Sequence, residues 1–219
     1  MNIKKYKYKI FGRFKGRKKT NINYENCIDR FRIDIINDVN KNRKNILDVG
    51  SGNGDNAILL SKKNPDSKIF TCEIYKDGNI NLSQNIEKNN ISNILLFEGN
   101  VLEFMDQLSD KFVFDEIWIL FPDPWPKARH HKRRLINRDF FKKIYVYLKN
   151  TGKVLIATDS DSYKEEIIKL IYEFQNMYLW KNQKYSLWNY GALDLPRTKF
   201  YQKALKSNRK SMFFQLNKI

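Results

Sequence analysis

Asp123 stands between two prolines, Pro122 and Pro124, in a stretch that begins at Phe121 after the apolar run Ile117-Trp118-Ile119-Leu120, and Trp125 follows. The apolar run reads as a buried strand. Proline fixes φ and removes a donor, so strand and helix both stop here. The carboxylate is therefore held on a stiff loop with an aromatic ring beside it. Lys127, Arg129, Lys132, Arg133 and Arg134 follow with no acid among them, and His130 and His131 lie in the same run. An acid aimed into a pocket beside a basic strip suggests chemistry on a nucleic-acid base. The competing reading is a proline-rich turn followed by a solvated, charged helix start. Trp125 could stack on a displaced base or belong to the core.

A second group lies upstream. Asp48-Val49-Gly50-Ser51-Gly52-Asn53-Gly54 follows a short apolar stretch. Gly50, Gly52 and Gly54 let the backbone turn tightly and approach a ligand closely. The helix expected after them points its amino end at that ligand. No Lys-Ser or Lys-Thr follows, so this is not a phosphate-binding P-loop, and the spacing is not that of a dinucleotide fold. Glu73 comes 19 residues after Gly54. An acid there accepts from both ribose hydroxyls of a nucleoside. Asn100 offers an amide to an adenine edge. The set describes an adenosyl site without a pyrophosphate grip, which fits S-adenosylmethionine better than NAD or ATP.

These residues need a frame that brings them together. Hydrophobic patterning places strands at Asn45–Val49, Ile69–Ile74, Ile94–Glu98, Val113–Leu120 and Lys153–Thr158. Helices are expected at Cys27–Val39, from the glycine loop to Lys63, and at Asn79–Lys88, Val101–Leu108, Arg138–Leu148 and Tyr163–Phe174. Asn150-Thr151-Gly152 reads as a helix stop. Two tail strands, Thr198–Ala204 and Ser211–Leu216, are expected to pair as an antiparallel edge. Alternating strands and helices imply an α/β fold with a doubly wound, mostly parallel sheet. Ligands bind beyond the carboxyl ends of such strands. The glycine turn, Glu73, Asn100, Asp123 and Asp159 all fall at those ends. Asp159 could hold a base or cap the following helix.

At 219 residues the chain can bury a sizeable core in one domain. Residues 1–24 read as a flexible basic arm and 25–219 as the domain. The formal net charge is +17. Three blocks carry cations without acids: nine in residues 1–19, five in 127–134 and seven in 195–219. Coding bias toward lysine would add charge, but clustering points to a surface that meets phosphates. The amino terminus is too polar for a secretory or membrane-spanning segment, and no lipidation signal favours a membrane partner. Neither Cys27 nor Cys72 belongs to a CxxC motif, Cys72 reads as core, and a reducing cytoplasm is the expected compartment. With two histidines, both in the basic run, a metal site or a Ser-His-Asp triad is not expected.

The chain resembles the bacterial tRNA (guanine-N7)-methyltransferases, which are class I S-adenosylmethionine-dependent enzymes with a Rossmann-like seven-stranded sheet. The resemblance runs through FGRFKGRK, LDVGSGNG, CEIY, EGNV, FPDPWPKARHHKRR, ATDS and RTKFY. It implies methyl transfer to N7 of a variable-loop guanine, position 46, in tRNA. It implies cofactor contacts from Asp48, Glu73, Asn100 and Asp123, and substrate contacts from Lys127, Asp159, Thr198, Lys199, Phe200 and the position of Tyr201. Arg129, His130, His131, Lys132, Arg133 and Arg134 would meet RNA. The family commonly has Glu at Asp48, Asp at Asn100 and Glu at Tyr201. The glycine-rich turn usual after that last motif is replaced by Gln202 to Asn208. Two other readings stay open: a catalytically impaired RNA-binding protein on the same fold, and a small-molecule methyl or aminopropyl transferase. The basic run beside Asp123 would repel a cationic polyamine.

Overall fold

The computed structural model describes residues 7–9, 11–12, 29–33, 43–109, 111–183 and 197–219. The first strand, β1 (Asn45–Val49), is buried along its whole length. So, nearly, is β2 (Lys68–Glu73). Continuous apolar runs of this kind form parallel strands covered on both faces. Between them lies α1 (Asp55–Lys63), and after them α2 (Lys76–Lys88), β3 (Ile94–Glu98), the short α3 (Val101–Met105) and β4 (Phe114–Leu120). A 3-10 helix (Ala128–Arg133) leads to α4 (Arg138–Val146), β5 (Leu148–Thr158), α5 (Asp161–Glu173), β6 (Tyr178–Trp180), α6 (Lys199–Lys206) and β7 (Met212–Lys218).

The seven strands run in the order β3-β2-β1-β4-β5-β7-β6. The first five are parallel. β7 pairs antiparallel with β5 on one side and β6 on the other. Chain order reverses between β1 and β4, which opens a crevice at their carboxyl ends. Side chains alternate between two faces. On one face Ile46, Ile69 and Ile94 meet Ala57 and Leu60 of α1 and Leu82 and Ile86 of α2. On the other, Leu47, Phe70, Ile117 and Ile156 meet α3, α4 and α5 through Phe104, Phe140 and Ile167. Cys72 is a buried free thiol in that second layer, as expected.

The doubly wound sheet with an antiparallel carboxyl-terminal edge is as read from the sequence, but the edge is built differently. Thr198–Ala204 is not a strand. Thr198 caps α6, its hydroxyl accepting from the Tyr201 amide at 3.2 Å. Tyr201 and Ala204, three residues apart, are the buried positions of that helix. The second edge strand is β6, only three residues long. Asn150-Thr151-Gly152 does not stop a helix either, since β5 already begins at Leu148 and runs through it. The pairing register shifts there, between Phe114 and Glu116. Of the helix expected over Cys27–Val39, residues 29–33 are described. Asp29–Phe31 form one 3-10 turn and Arg32 bridges to Leu96; the remainder lies outside the described residues. Among the described residues no helix is long and apolar enough to cross a membrane.

Candidate active site

Gly50, Gly52 and Gly54 all adopt positive φ, at 68°, 55° and 86°. Side chains rarely tolerate this region, so only glycine follows this path without strain. A Cβ at Gly54 would sit 2.4 Å from Leu82 Cδ1, so this glycine also lets α2 pack against the turn. A Cβ at Gly50 or Gly52 would meet nothing within 4 Å. That emptiness is the open crevice, about 1070 Å³ in volume.

Glu73 holds the turn in place. Its Oε2 accepts from the Gly52 amide and its Oε1 from the Tyr75 amide, both at 2.8 Å. Burial raises its pKa, against these backbone hydrogen bonds. Each carboxylate oxygen retains a lone pair for a ligand hydroxyl. Asn100 caps α3, its Oδ1 accepting from Leu102 N at 2.8 Å. Its Nδ2 is therefore the part of the amide left to face an adenine.

Asp48 lies at the base of the turn and is 2% exposed. Its Oδ1 accepts from Asn56 Nδ2 at 2.8 Å, while Oδ2 has no protein partner. Burial pushes its pKa up to about 7, opposed by the Asn56 bond and helped by the charge of Glu73. A buried orphan oxygen lining a crevice, beside the orphan hydroxyl of Ser51, is a place where a polar ligand is needed. The crevice thus fits an adenosyl group: an acid for ribose, an amide for the base and free polar atoms near the turn.

The titration of Asp48 has a stability consequence. The unfolded chain releases this proton near pH 4 and the folded chain near 7, so the native state binds more protons in between. This group's contribution to stability therefore falls as pH rises through that window and is flat above it. Asp48→Asn should stabilise the ligand-free protein at pH 8 by about 2–4 kcal/mol, raising its melting temperature by several degrees. The gain should shrink toward pH 4. Calorimetry of both proteins at the two pH values is the check, and equal melting at pH 8 would refute it.

Asp123 faces the same crevice from the end of β4. Its neighbours Phe121 and Trp125 both have positive φ, 53° and 43°. For bulky aromatic residues this is strained backbone, of the kind found where a loop must aim a side chain. Asp123 stays open to solvent on one side, yet partial burial raises its pKa. Trp125 is half-buried and lines the crevice, so it is not core. The Arg133 guanidinium lies 5.0 Å from its ring centroid, and His130 meets the ring edge-on at 6.0 Å.

Of residues 1–24, expected as a flexible arm, residues 7–9 and 11–12 are described, and they lie against the domain. Tyr8 and Lys7 donate to Asp106 Oδ2 at 2.9 and 2.5 Å, and Lys143 donates to the other oxygen. Phe11 packs edge-on against Trp125, with 6.5 Å between centroids. Gly12 crosses the crevice so closely that a Cβ would sit 2.8 Å from Ile74 Cδ1 and 3.9 Å from Asp123 Oδ2. Tyr8, Lys9, Phe11 and Gly12 form part of the crevice wall.

Three comparisons bear on this geometry. A family model described as "Putative methyltransferase" matches residues 42–214. The tRNA (guanine-N(7)-)-methyltransferase of Wolbachia pipientis wMel is 32% identical over 216 residues, covering 96% of this chain and 94% of that protein. The chain belongs to the tRNA (guanine-N7)-methyltransferase family. A bifunctional methyltransferase of Rickettsia felis is 33% identical over 181 residues, covering 83% of this chain and 34% of that protein. This chain thus corresponds to about a third of the Rickettsia protein. In fold, an rRNA methylase from Streptococcus thermophilus matches with a TM-score of 0.56 at 15% identity, over 85% of this chain and 93% of that one. A Streptococcus mutans methyltransferase solved with SAH matches at 0.54 and 15%, over 81% and 89%.

Three of the expected contact residues are buried or already paired. Tyr201 does not line the crevice. It is 6% exposed and packs beneath the loop against Phe121, 6.3 Å between centroids. Arg134, expected at the RNA, is a buried cation, 3% exposed, among the residues that line the crevice. Asp159 is not the cap of α5, a position held by Ser160; it pairs with Arg209 Nε at 2.8 Å. Lys199 and Phe200 do reach the crevice, and Phe200 is 48% exposed with Lys203 Nζ over its ring. Lys127 and Arg129 are exposed outside it, His131 is half-buried, and Lys132 and Arg133 sit at its edge. Sequence reasoning missed Asn56, Asp106 and Arg209, whose partners are distant in the chain or lack a motif.

Proposed function

We propose that this protein transfers a methyl group from S-adenosylmethionine to N7 of guanine 46 in the variable loop of tRNA, acting in the cytoplasm. The observation that carries this reading is the meeting of Asp123, on its strained loop, with the Gly50–Gly54 turn and Glu73 in one crevice edged by Lys132 and Arg133. The Wolbachia relative, a tRNA (guanine-N(7)-)-methyltransferase, supports tRNA as substrate and guanine N7 as the methyl acceptor.

Glu73, Asp48, Asn100 and the glycine turn would hold the cofactor, which supplies an electrophilic methyl when bound. Guanine N7 carries a lone pair and needs no deprotonation. Its ring becomes cationic as the bond forms. The Asp123 carboxylate accepts from guanine N1–H and N2–H, orienting the base and stabilising that positive charge. Phe200 and Trp125 offer faces for an unstacked purine, and exposure of the base costs a few kcal/mol. Phosphate contacts from Arg129, Lys132 and Arg133 offset that cost. Incubation with labelled S-adenosylmethionine and unmodified tRNA, followed by nucleoside analysis, is the test. Label in 7-methylguanosine is expected. A second reading, an RNA-binding protein without catalysis, is favoured only by the buried Tyr201; cofactor and tRNA binding without methylation would establish it.

Deletion of residues 1–19 removes nine cations and four residues of the crevice wall. Affinity for tRNA should fall, and the slope of log affinity against log salt should flatten by ~0.7–0.9 per lost phosphate contact. Affinity for S-adenosylhomocysteine, measured by calorimetry, should fall as well. Unchanged values for both ligands would show that the segment contributes to neither site.

A further inference from the structure

Arg134 ends a run of basic residues that otherwise face solvent or the crevice edge, yet its side chain turns inward. Its Nε donates to the Pro124 carbonyl at 2.8 Å. Its Nη2 donates to Ser162 Oγ at 2.8 Å, and its Nη1 reaches the Ser162 carbonyl at 3.3 Å and the Glu166 carboxylate. The guanidinium lies 4.7 Å from the Tyr163 ring centroid. Tyr163 in turn is fully buried, and its hydroxyl accepts from the Ile136 amide at 2.8 Å. One cation thus joins the proline loop to the first turns of α5.

The loop needs such a tie. Phe121 and Trp125 hold positive φ on either side of Asp123, a backbone state that persists only where surroundings enforce it. Phe121 is enforced from below by Tyr201. On the far side, the Pro124 carbonyl is bonded to Arg134, and Trp125 is covered by Arg133. Pro124 has no N–H of its own to offer, so its carbonyl is the handle the main chain presents there.

We propose that Arg134 is a positioning residue for methyl transfer: by binding the Pro124 carbonyl and anchoring to Ser162 and Glu166, it fixes where the Asp123 carboxylate sits. The proposal rests on the role given to Asp123 above. Lysine retains the charge, but a single ammonium cannot span Pro124, Ser162 and Glu166 together. Misplacement by about 1 Å can cost on the order of 10²-fold in rate.

The test compares Arg134→Lys, Asp123→Asn and the double variant in steady-state methylation of tRNA, with cofactor affinity measured by calorimetry. Arg134→Lys should lower kcat by roughly 10–100-fold. KM for tRNA and cofactor affinity should stay within about threefold of the parent, and the double variant should be no slower than Asp123→Asn alone. A role in RNA contact would instead raise KM, and a general structural role would weaken cofactor binding in parallel; either result overturns the proposal. So do near-parental turnover of Arg134→Lys and losses that multiply in the double variant. Normal turnover of Asp123→Asn alone would refute the reading of Asp123 and is scored separately. Should Arg134→Lys fail to fold, Glu166→Gln and Ser162→Ala each remove one anchor while leaving the Pro124 bond. Both should lower kcat severalfold at constant KM, and parental kcat in both would overturn the proposal.

Discussion

Asp123→Asn should cut methylation turnover by about 10²–10³-fold while leaving affinity for tRNA nearly unchanged. The amide matches the carboxylate in shape but lacks its charge. It also replaces one acceptor with a donor that faces guanine N1–H or N2–H. The loss falls where positive charge develops on the purine, which is why kcat carries it rather than binding. The raised pKa of Asp123, from partial burial, adds a pH signature. Parental turnover should decline on the acid side as the carboxylate takes up a proton, and the variant should lose that limb. Single-turnover methylation across pH gives both numbers. Near-parental turnover in the variant would mean that Asp123 only shapes its loop.

Loss of Glu73 should act at the other end of the crevice. Glu73→Ala should reduce affinity for S-adenosylmethionine by at least 100-fold while the fold survives. Hydrogen bonds to an ionised group are worth about 1.5–3 kcal/mol each, and this carboxylate already organises the turn through Gly52 and Tyr75. Glu73→Gln is the informative partner. Its side-chain amide has one acceptor oxygen, so the Gly52 or Tyr75 amide must face an NH2 group. The glutamine variant should therefore also bind poorly, despite its similar shape. Calorimetric titration of both variants is the measurement. Affinity equal to the parent in Glu73→Ala would remove this residue from the site.

The parallel half of the sheet was legible in the sequence because its strands are buried on both faces and read as unbroken apolar runs. Asn45–Val49 and Ile94–Glu98 came out to the residue, and the starts or ends of the other three shifted by one to five positions. The exceptions have local physical causes. Thr-Lys-Phe-Tyr has strand-like composition, yet the Thr198 hydroxyl caps a helix, and burial at Tyr201 and Ala204 follows helical spacing over only two turns. A strand as short as Tyr178–Trp180 leaves no periodic signal. The rim positions of the glycine turn, Glu73, Asn100 and Asp123 follow from topology once the strands are known. What stayed hidden was contact between distant segments. Nothing in the spacing of Arg133 and Arg134 says that the first covers Trp125 and the second turns away from solvent. Nothing in the arm says that Gly12 passes within reach of Asp123.

The place of β7 in the sheet has a consequence for how the chain is made. Among the described residues, β6 and the outer side of β5 each have β7 as their one sheet partner. Ribosomal synthesis at about 5–20 residues per second leaves an interval on the order of seconds between Trp180 and Lys218. During it the nascent sheet ends at an apolar, unpaired β5 edge, the kind of edge that invites pairing with another chain. Thr198, Lys199 and Phe200, which close their side of the crevice, are made about half-way through that interval. Closure of the β5 edge thus waits for one late event, the insertion of residues 212–218 between two strands made earlier.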